Sequence, residues 1–124
     1  MSEAPGAGAG KRLKVEQKGN VFVVHFLDRK ILDESNIVEI ANELFDLVDK
    51  QKGIHLCLNF SNVQYLSSTV LGKLITLNTR VNEDSGKLVL CAIRPQILEV
   101  FKITKLTKLF DIVEDEATAL SHFG

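Results

Sequence analysis

Three short apolar runs punctuate the chain: Val21-Phe22-Val23-Val24-His25-Phe26-Leu27, Ile54 to Leu58, and Leu88-Val89-Leu90-Cys91-Ala92. Each has strand length and is bounded by turn residues, the pattern of strands buried in a sheet. Leu13 to Lys18 alternates weakly ahead of Gly19-Asn20, which predicts an antiparallel hairpin with the first run. Between the runs the apolar spacing becomes helical. Ile37, Ile40, Ala41, Leu44, Phe45 and Val48 share one face of a first helix. Val70, Leu71, Leu74, Ile75, Asn78 and Val81 share one face of a second, and Ile97, Leu98, Phe101 and Ile103 mark a third. Asp33 or Ser35 is placed to cap the first helix, Gly53 to close it off, and Pro95 to open the third. Asp28-Arg29-Lys30 reads as a polar break. Leu109 to Val113 predicts a short final strand, and Glu114-Asp115-Glu116 supplies negative charge to a terminal helix ending near Phe123.

The order β-β-α-β-α-β-α, with an optional further β-α, predicts an α/β fold. Alternating strands and helices imply parallel pairing and right-handed crossovers. The expected architecture is a small single-domain sandwich: a mixed four- to five-stranded sheet with helices packed mainly on one face. At 124 residues the chain has room for one core and not two. Residues 1–12 read as a disordered Ala/Gly-rich tail and 13–124 as the folded domain. Gly6-Ala7-Gly8-Ala9-Gly10-Lys11 superficially matches a phosphate-binding loop. The match fails because Pro5 and Arg12 replace the required Gly and Ser or Thr, and no strand precedes it.

Charge and composition narrow the function. Lys+Arg 15 against Asp+Glu 16 leaves a net charge of -1, so no global basic field recruits nucleic acid. No run approaches the roughly 18 apolar residues that span a bilayer, and no basic-then-apolar leader opens the chain. The expectation is a cytoplasmic protein with no nucleic acid or membrane partner. Cys57 and Cys91 lie in apolar runs without metal spacing, and are expected to be buried free thiols.

Polar chemistry concentrates at one junction. Asn59-Phe60-Ser61-Asn62-Val63-Gln64-Tyr65-Leu66-Ser67-Ser68-Thr69-Val70-Leu71-Gly72 joins the central strand to the second helix, with three consecutive hydroxyls where the helix begins. Hydroxyls there either cap the helix or stand where its free N–H groups and dipole welcome a phosphate. Functional groups in such sheets gather outside the carboxyl ends of parallel strands, where this loop emerges.

These residues resemble the anti-sigma-factor antagonist branch of the STAS domains. Members show a strand ending in Asp-Leu-Ser, a short loop, then Asp-Ser-Ser-Gly-Leu-Gly or Ser-Ser-Ala-Gly-Leu opening a helix. Asn59-Phe60-Ser61 fits the first element and Ser67-Ser68-Thr69-Val70-Leu71-Gly72 the second. Leu88 to Cys91 and Val100 to Phe110 fit the last strand and the helix that follows, so the resemblance runs from Leu13 to Leu120. It implies a non-enzymatic switch without cofactor or metal. An unmodified antagonist binds an anti-sigma serine kinase, phosphorylation by that kinase ends the association, and a PP2C-type phosphatase restores it. Aligned on Leu71-Gly72, the phosphoacceptor is Ser68, with Ser67, the expected cap of the helix, and Thr69 as the neighbours that shape access to it. Ser67 stands where many members have Asp, and β-branched Val70 where they have Gly. The implied docking surface comprises the loop Val63 to Ser67 with Tyr65 and Leu66, the helix start with Val70, Gly72 and Lys73, and the segment Asp28 to Asp33. The alternative is a non-phosphorylated STAS scaffold or small-ligand-binding module.

Other chemistries are poorly served. His25, His55 and His122 are scattered, without metal-ligand spacing. Ser67 and Ser68 lack the Gly-x-Ser-x-Gly elbow of a hydrolase. Asn59 stands where a receiver-type site needs acidic residues for Mg²⁺. Lys102, Lys105 and Lys108 read as a solvated edge, and Phe101 and Phe110 as anchors of the terminal helix.

Overall fold

The structure, a computed structural model, describes residues 12–123. The expected tail up to Lys11, with its glycine-rich stretch, lies outside the described residues. Arg12 belongs to the folded part: its backbone N–H donates to Glu43 Oε2 at 2.9 Å, and its guanidinium reaches Glu39 at 2.7 Å and Asp28 at 3.1 Å.

Strands β1 (Leu13–Lys18) and β2 (Val21–Phe26) form the predicted hairpin. Gly19 has φ 63° at the first central turn position, where glycine meets no steric cost. A two-residue strand β3 (Lys30–Ile31) leads into α1 (Glu34–Lys50). The chain then runs through β4 (His55–Asn59), a second two-residue strand β5 (Tyr65–Leu66), α2 (Ser68–Glu83), β6 (Lys87–Cys91) and α3 (Pro95–Ile103). A 3-10 turn (Leu106–Lys108), β7 (Asp111–Val113) and α4 (Glu116–Ser121) follow. The main sheet has the order β1-β2-β4-β6-β7, parallel except for the opening hairpin, and β3 pairs with β5 in a separate parallel ribbon.

Both faces of the central strands are covered, which explains why their sequences are continuous apolar runs. On one face Phe22, Val24, Leu56, Leu58, Leu88 and Leu90 meet α1, α2 and α3. On the other, Val21, Val23, Cys57, Val89 and Cys91 lie under Ala119 of α4. The optional last strand and helix are therefore real. The helix crosses to the far face, while the other three share one side. Cys57 and Cys91 are free and buried, with sulfurs 3.6 Å apart. Their hydrogen bond, with burial, pushes the Cys57 thiol up, and the same bond holds Cys91 below its usual value.

Several periodic assignments shift on packing. In α2 the buried set includes Leu77, whereas Ile75 is 37% exposed, because the core-facing stripe steps through Val70, Leu74, Leu77 and Val81 and leaves Ile75 at its edge. In α3 only Ile97 and Phe101 are buried, and Ile103 is 76% exposed, since the helix ends there and the chain turns away at Lys105 (φ 63°). Phe101 and Phe110, whose rings meet edge to face at 5.9 Å, anchor α3 and the approach to β7 rather than the terminal helix. Gly86 sits where a Cβ would lie 2.4 Å from the Ile54 carbonyl oxygen, so the turn between α2 and β6 admits no larger residue without a shift. The polar break at Asp28-Arg29-Lys30 contains the start of β3. Neither β3 nor β5 has a readable period of its own, being two residues long.

Candidate functional site at the start of the second helix

Asn59 ends the central strand and starts the loop. Its Oδ1 accepts the Ser61 N–H at 2.9 Å, and its Nδ2 donates to Glu116 Oε1 of α4 at 3.0 Å. Phe60 is buried, its ring 4.8 Å from that of Phe26, and its N–H donates to the Cys91 carbonyl at 3.0 Å. Asn62 Nδ2 reaches the carbonyls of Phe26 and Leu27, both at 3.1 Å. Arg94 Nη2 donates to the Ser61 carbonyl at 3.0 Å, and Gln96 Nε2 to that of Gln64 at 3.4 Å. Held from both sides, this loop is a rigid platform, not a free connection.

The platform continues into the ribbon. The N–H groups of Gln64 and Tyr65 share the Arg29 carbonyl at 2.7 and 3.1 Å, and the Ser67 N–H donates to the Ile31 carbonyl at 3.0 Å. Pairing of β3 with β5 sets Lys30 opposite Tyr65, and the Lys30 ammonium lies 5.6 Å from the Tyr65 ring centre. The segments Asp28–Asp33 and Val63–Ser67, far apart in sequence, are thus one surface.

Ser67 occupies the N-cap position with extended backbone, and its carbonyl accepts the Val70 N–H at 3.1 Å. The expected cap holds by position but not by hydrogen bond: the Ser67 Oγ is buried without a hydrogen-bond partner, and no side-chain bond closes the helix start. Ser68 and Thr69 follow at the first helical positions, both exposed. A helix start leaves its first N–H groups without intrahelical partners, with the positive end of the dipole beneath them. Ser68 and Gly72, one helical turn apart, share an exposed face, and Lys73 and Thr69 adjoin it.

Other expected docking residues divide. Tyr65 is 52% exposed and Asp33 is exposed at the N-cap of α1, where its carbonyl, not its carboxylate, takes the Ile37 N–H. Leu66 is half-buried against the core. Asp28 is held by Arg12 and so is already paired. Two expectations need correcting. Val70 is only 3% exposed and Val63 is fully buried, both packed in the main apolar core, so neither offers a surface for docking. Leu27, read as the last residue of a buried strand, lies beyond β2 and is exposed, as is Leu32 within the Asp28–Asp33 segment. Asn62, Arg94 and Gln96, whose role is to bond loop carbonyls and which carry no periodic signal, were not singled out by the sequence pattern.

Glu116 anchors the opposite side of the platform. It pairs with Lys18 of β1, bonds Asn59, and lies 3.6 Å from His25 Nε2. Burial pushes its carboxyl up, but the Lys18 and Asn59 bonds outweigh this and leave it below the usual carboxylate range. His25 and His55 lie on neighbouring strands four register positions apart, and His55 stacks on Phe123 instead. Among the described residues no three His, Cys, Asp or Glu side chains converge to hold a metal ion. No helix among them is long and apolar enough to cross a membrane.

A mixed five-stranded sheet with a serine-rich helix start at the end of its central strand defines a class. The STAS domain family model matches residues 12–119, and the chain belongs to that family. Among curated relatives, the anti-sigma F factor antagonist of Paenibacillus polymyxa is 20% identical over 110 residues, covering 89% of this chain and 92% of its own. The solved STAS-domain anti-sigma-factor antagonist from Planctomyces limnophilus superposes with TM-score 0.80 at 20% identity, over 90% of this chain and 97% of that one. The Bacillus cell-fate determinant SpoIIAA in its phosphorylated form gives 0.69 at 15% identity, over 90% and 99%. At these identities the superpositions establish the fold.

Proposed function

We propose that this chain is an anti-sigma-factor antagonist that works by partner switching, without catalysis of its own. With Ser68 unmodified it binds an anti-sigma serine kinase and so frees a sigma factor for transcription. The kinase transfers the γ-phosphoryl group of ATP to Ser68 Oγ: the O–P bond forms, the bond to the ADP leaving group breaks, and the serine proton passes to a base on the kinase. A PP2C-type phosphatase returns serine and inorganic phosphate by hydrolysis.

The observation that carries this reading is the contrast between adjacent hydroxyls: Ser68 open to solvent and Ser67 buried, on a platform that the rest of the fold holds fixed. A phosphate on Ser68 adds about −1.5 to −2 charge at pH 7. The helix dipole accommodates that charge, so the fold persists and the effect falls on docking. Leu27, Leu32 and Tyr65 give the surrounding surface an apolar character that a neighbouring dianion would spoil by desolvation and repulsion.

The test is incubation with the cognate anti-sigma kinase and ATP, read by intact mass. One phosphate is expected on the wild type and none on Ser68→Ala, which retains kinase binding. No incorporation selects the alternative, a STAS scaffold or small-ligand module. One observation favours that alternative: a groove of ≈ 490 Å³ lined by Ile93, Leu98, Ile112, Val113, Glu114 and Thr118.

A further inference from the structure

Helices α1, α2 and α3 run back against the parallel strands, so α3 starts beside the Ser61 loop and ends at the other pole of the sheet. Nine residues of helix cover about 14 Å. At that far pole the chain presents Val100, Lys102, Ile103, Lys105, Lys108 and Leu109 to solvent within ten residues. Ile103 is 76% exposed, the highest value among the described large apolar residues, with Val100 at 42% and Leu109 at 46%. The left-handed turn at Lys105 and the 3-10 turn after it fold this segment into one corner beside α3.

The lysines here differ from the ion-paired cations of the domain. Arg12, Lys14, Lys18, Lys50, Lys52 and Arg80 each have a carboxylate within 4.0 Å. Among the described residues, no carboxylate lies within that distance of Lys102, Lys105 or Lys108. Cations near helix carboxyl ends complement the dipole, which accounts for Lys102 and Lys108 locally. That leaves the exposed isoleucine between them without a role. Ile103, flanked in the chain by exposed Lys102 and Lys105 with Lys108 beyond and Glu99 one turn before, has the make-up of a small interface, apolar at its centre and charged at its rim.

We propose that the corner from Val100 to Leu109 is a second docking surface, for an acidic protein segment that carries an apolar side chain to cover Ile103. Charge complementarity selects that occupant over a membrane, because three lysines fall short of the roughly four to eight that make a polybasic lipid-binding cluster. The surface is separate from Ser68 and stands whether or not Ser68 is phosphorylated.

The experiment is a titration of the ¹⁵N-labelled full chain with a synthetic peptide in which Asp and Glu flank a Leu-Phe pair. Parallel titrations use the same peptide with Ser in place of the acidic residues, and vesicles of phosphatidylserine and phosphatidylcholine. Amide shifts confined to residues 100–109, seen with the acidic peptide only, are the expected result. The affinity should fall roughly tenfold or more in the Lys102→Glu/Lys105→Glu double variant, as for loss of complementary charge. It should also fall in Ile103→Ser and be unchanged in Ser68→Asp. Circular dichroism checks that these surface variants keep the fold. The proposal is overturned by shifts at the Ser68 pole instead, by no shifts at all, by insensitivity to the charge reversal, or by vesicle binding without peptide binding.

Discussion

Asn59 holds Glu116 through Nδ2 at 3.0 Å and the Ser61 N–H through Oδ1 at 2.9 Å. A single amide side chain therefore fastens the start of the candidate switch loop to the start of α4 at the carboxyl end of the central strand. Glu116 passes the connection on to β1 through Lys18. The Ser68 platform is thus supported from the face of the sheet opposite its own helix.

Acid should weaken that support. The Glu116 carboxyl is lowered in the folded state, so its stabilisation is fully present above the unfolded value of about 4.3 and is lost as pH falls through the lower folded value. Urea unfolding of wild type and Glu116→Gln should differ by about 1 kcal/mol at neutral pH. The two should converge on acidification, and parallel stability curves would show that Glu116 makes no such contribution.

Ser67→Ala separates a cap by position from a cap by hydrogen bond. A working hydroxyl cap costs about 1 kcal/mol to remove. The Ser67 Oγ is buried and unpartnered, so its removal should leave chemical-denaturation stability unchanged or slightly raised. A loss of 1 kcal/mol or more would mean that the hydroxyl caps the helix in solution.

Val70→Gly, which restores the residue common in the family, should destabilise the domain by about 3 kcal/mol. The change removes a core side chain and places glycine in the first helical turns. Thermal or urea unfolding measures it. An unchanged midpoint would mean that Val70 is not packed as described.

Gly72 distinguishes packing within the domain from packing against a partner. Nothing lies within 4 Å of the Cβ that Gly72→Ala would add. The variant should therefore be more stable by about 0.5–1 kcal/mol. If the Ser68 face of α2 meets the kinase closely, the added methyl should also weaken kinase binding in titration calorimetry. Unchanged affinity would move the docking surface off this face.

Ser68→Asp should keep the unfolding midpoint of the wild type or raise it slightly, because a carboxylate in the first turn is favoured by the dipole. Kinase binding should nevertheless fall at least roughly tenfold, a difference of 1.4 kcal/mol in binding free energy. Equal affinities for Ser68→Asp and Ser68→Ala would remove the phosphate switch.

Apolar runs, helical periodicity and the turn residues between them determined the strands β1, β2, β4 and β6, the three large helices and the position of the serine junction, because each is long enough for its apolar pattern to stand out. The final strand and α4 were legible only as an option, since three and six residues leave room for barely one repeat. Tertiary structure decided the rest. It paired β3 with β5, so that Asp28–Asp33 and Val63–Ser67 became one surface, through backbone bonds that no side-chain pattern announces. It sent α4 to the far face of the sheet, where Ala119 covers Cys57 and Cys91. It also turned Val70 and Val63 inward, left Ile103 and Ile75 outside, and buried the Ser67 hydroxyl beside an exposed Ser68. A sequence lists three hydroxyls in a row; which of them meets solvent depends on the angle at which α2 leaves the sheet, and packing sets that angle.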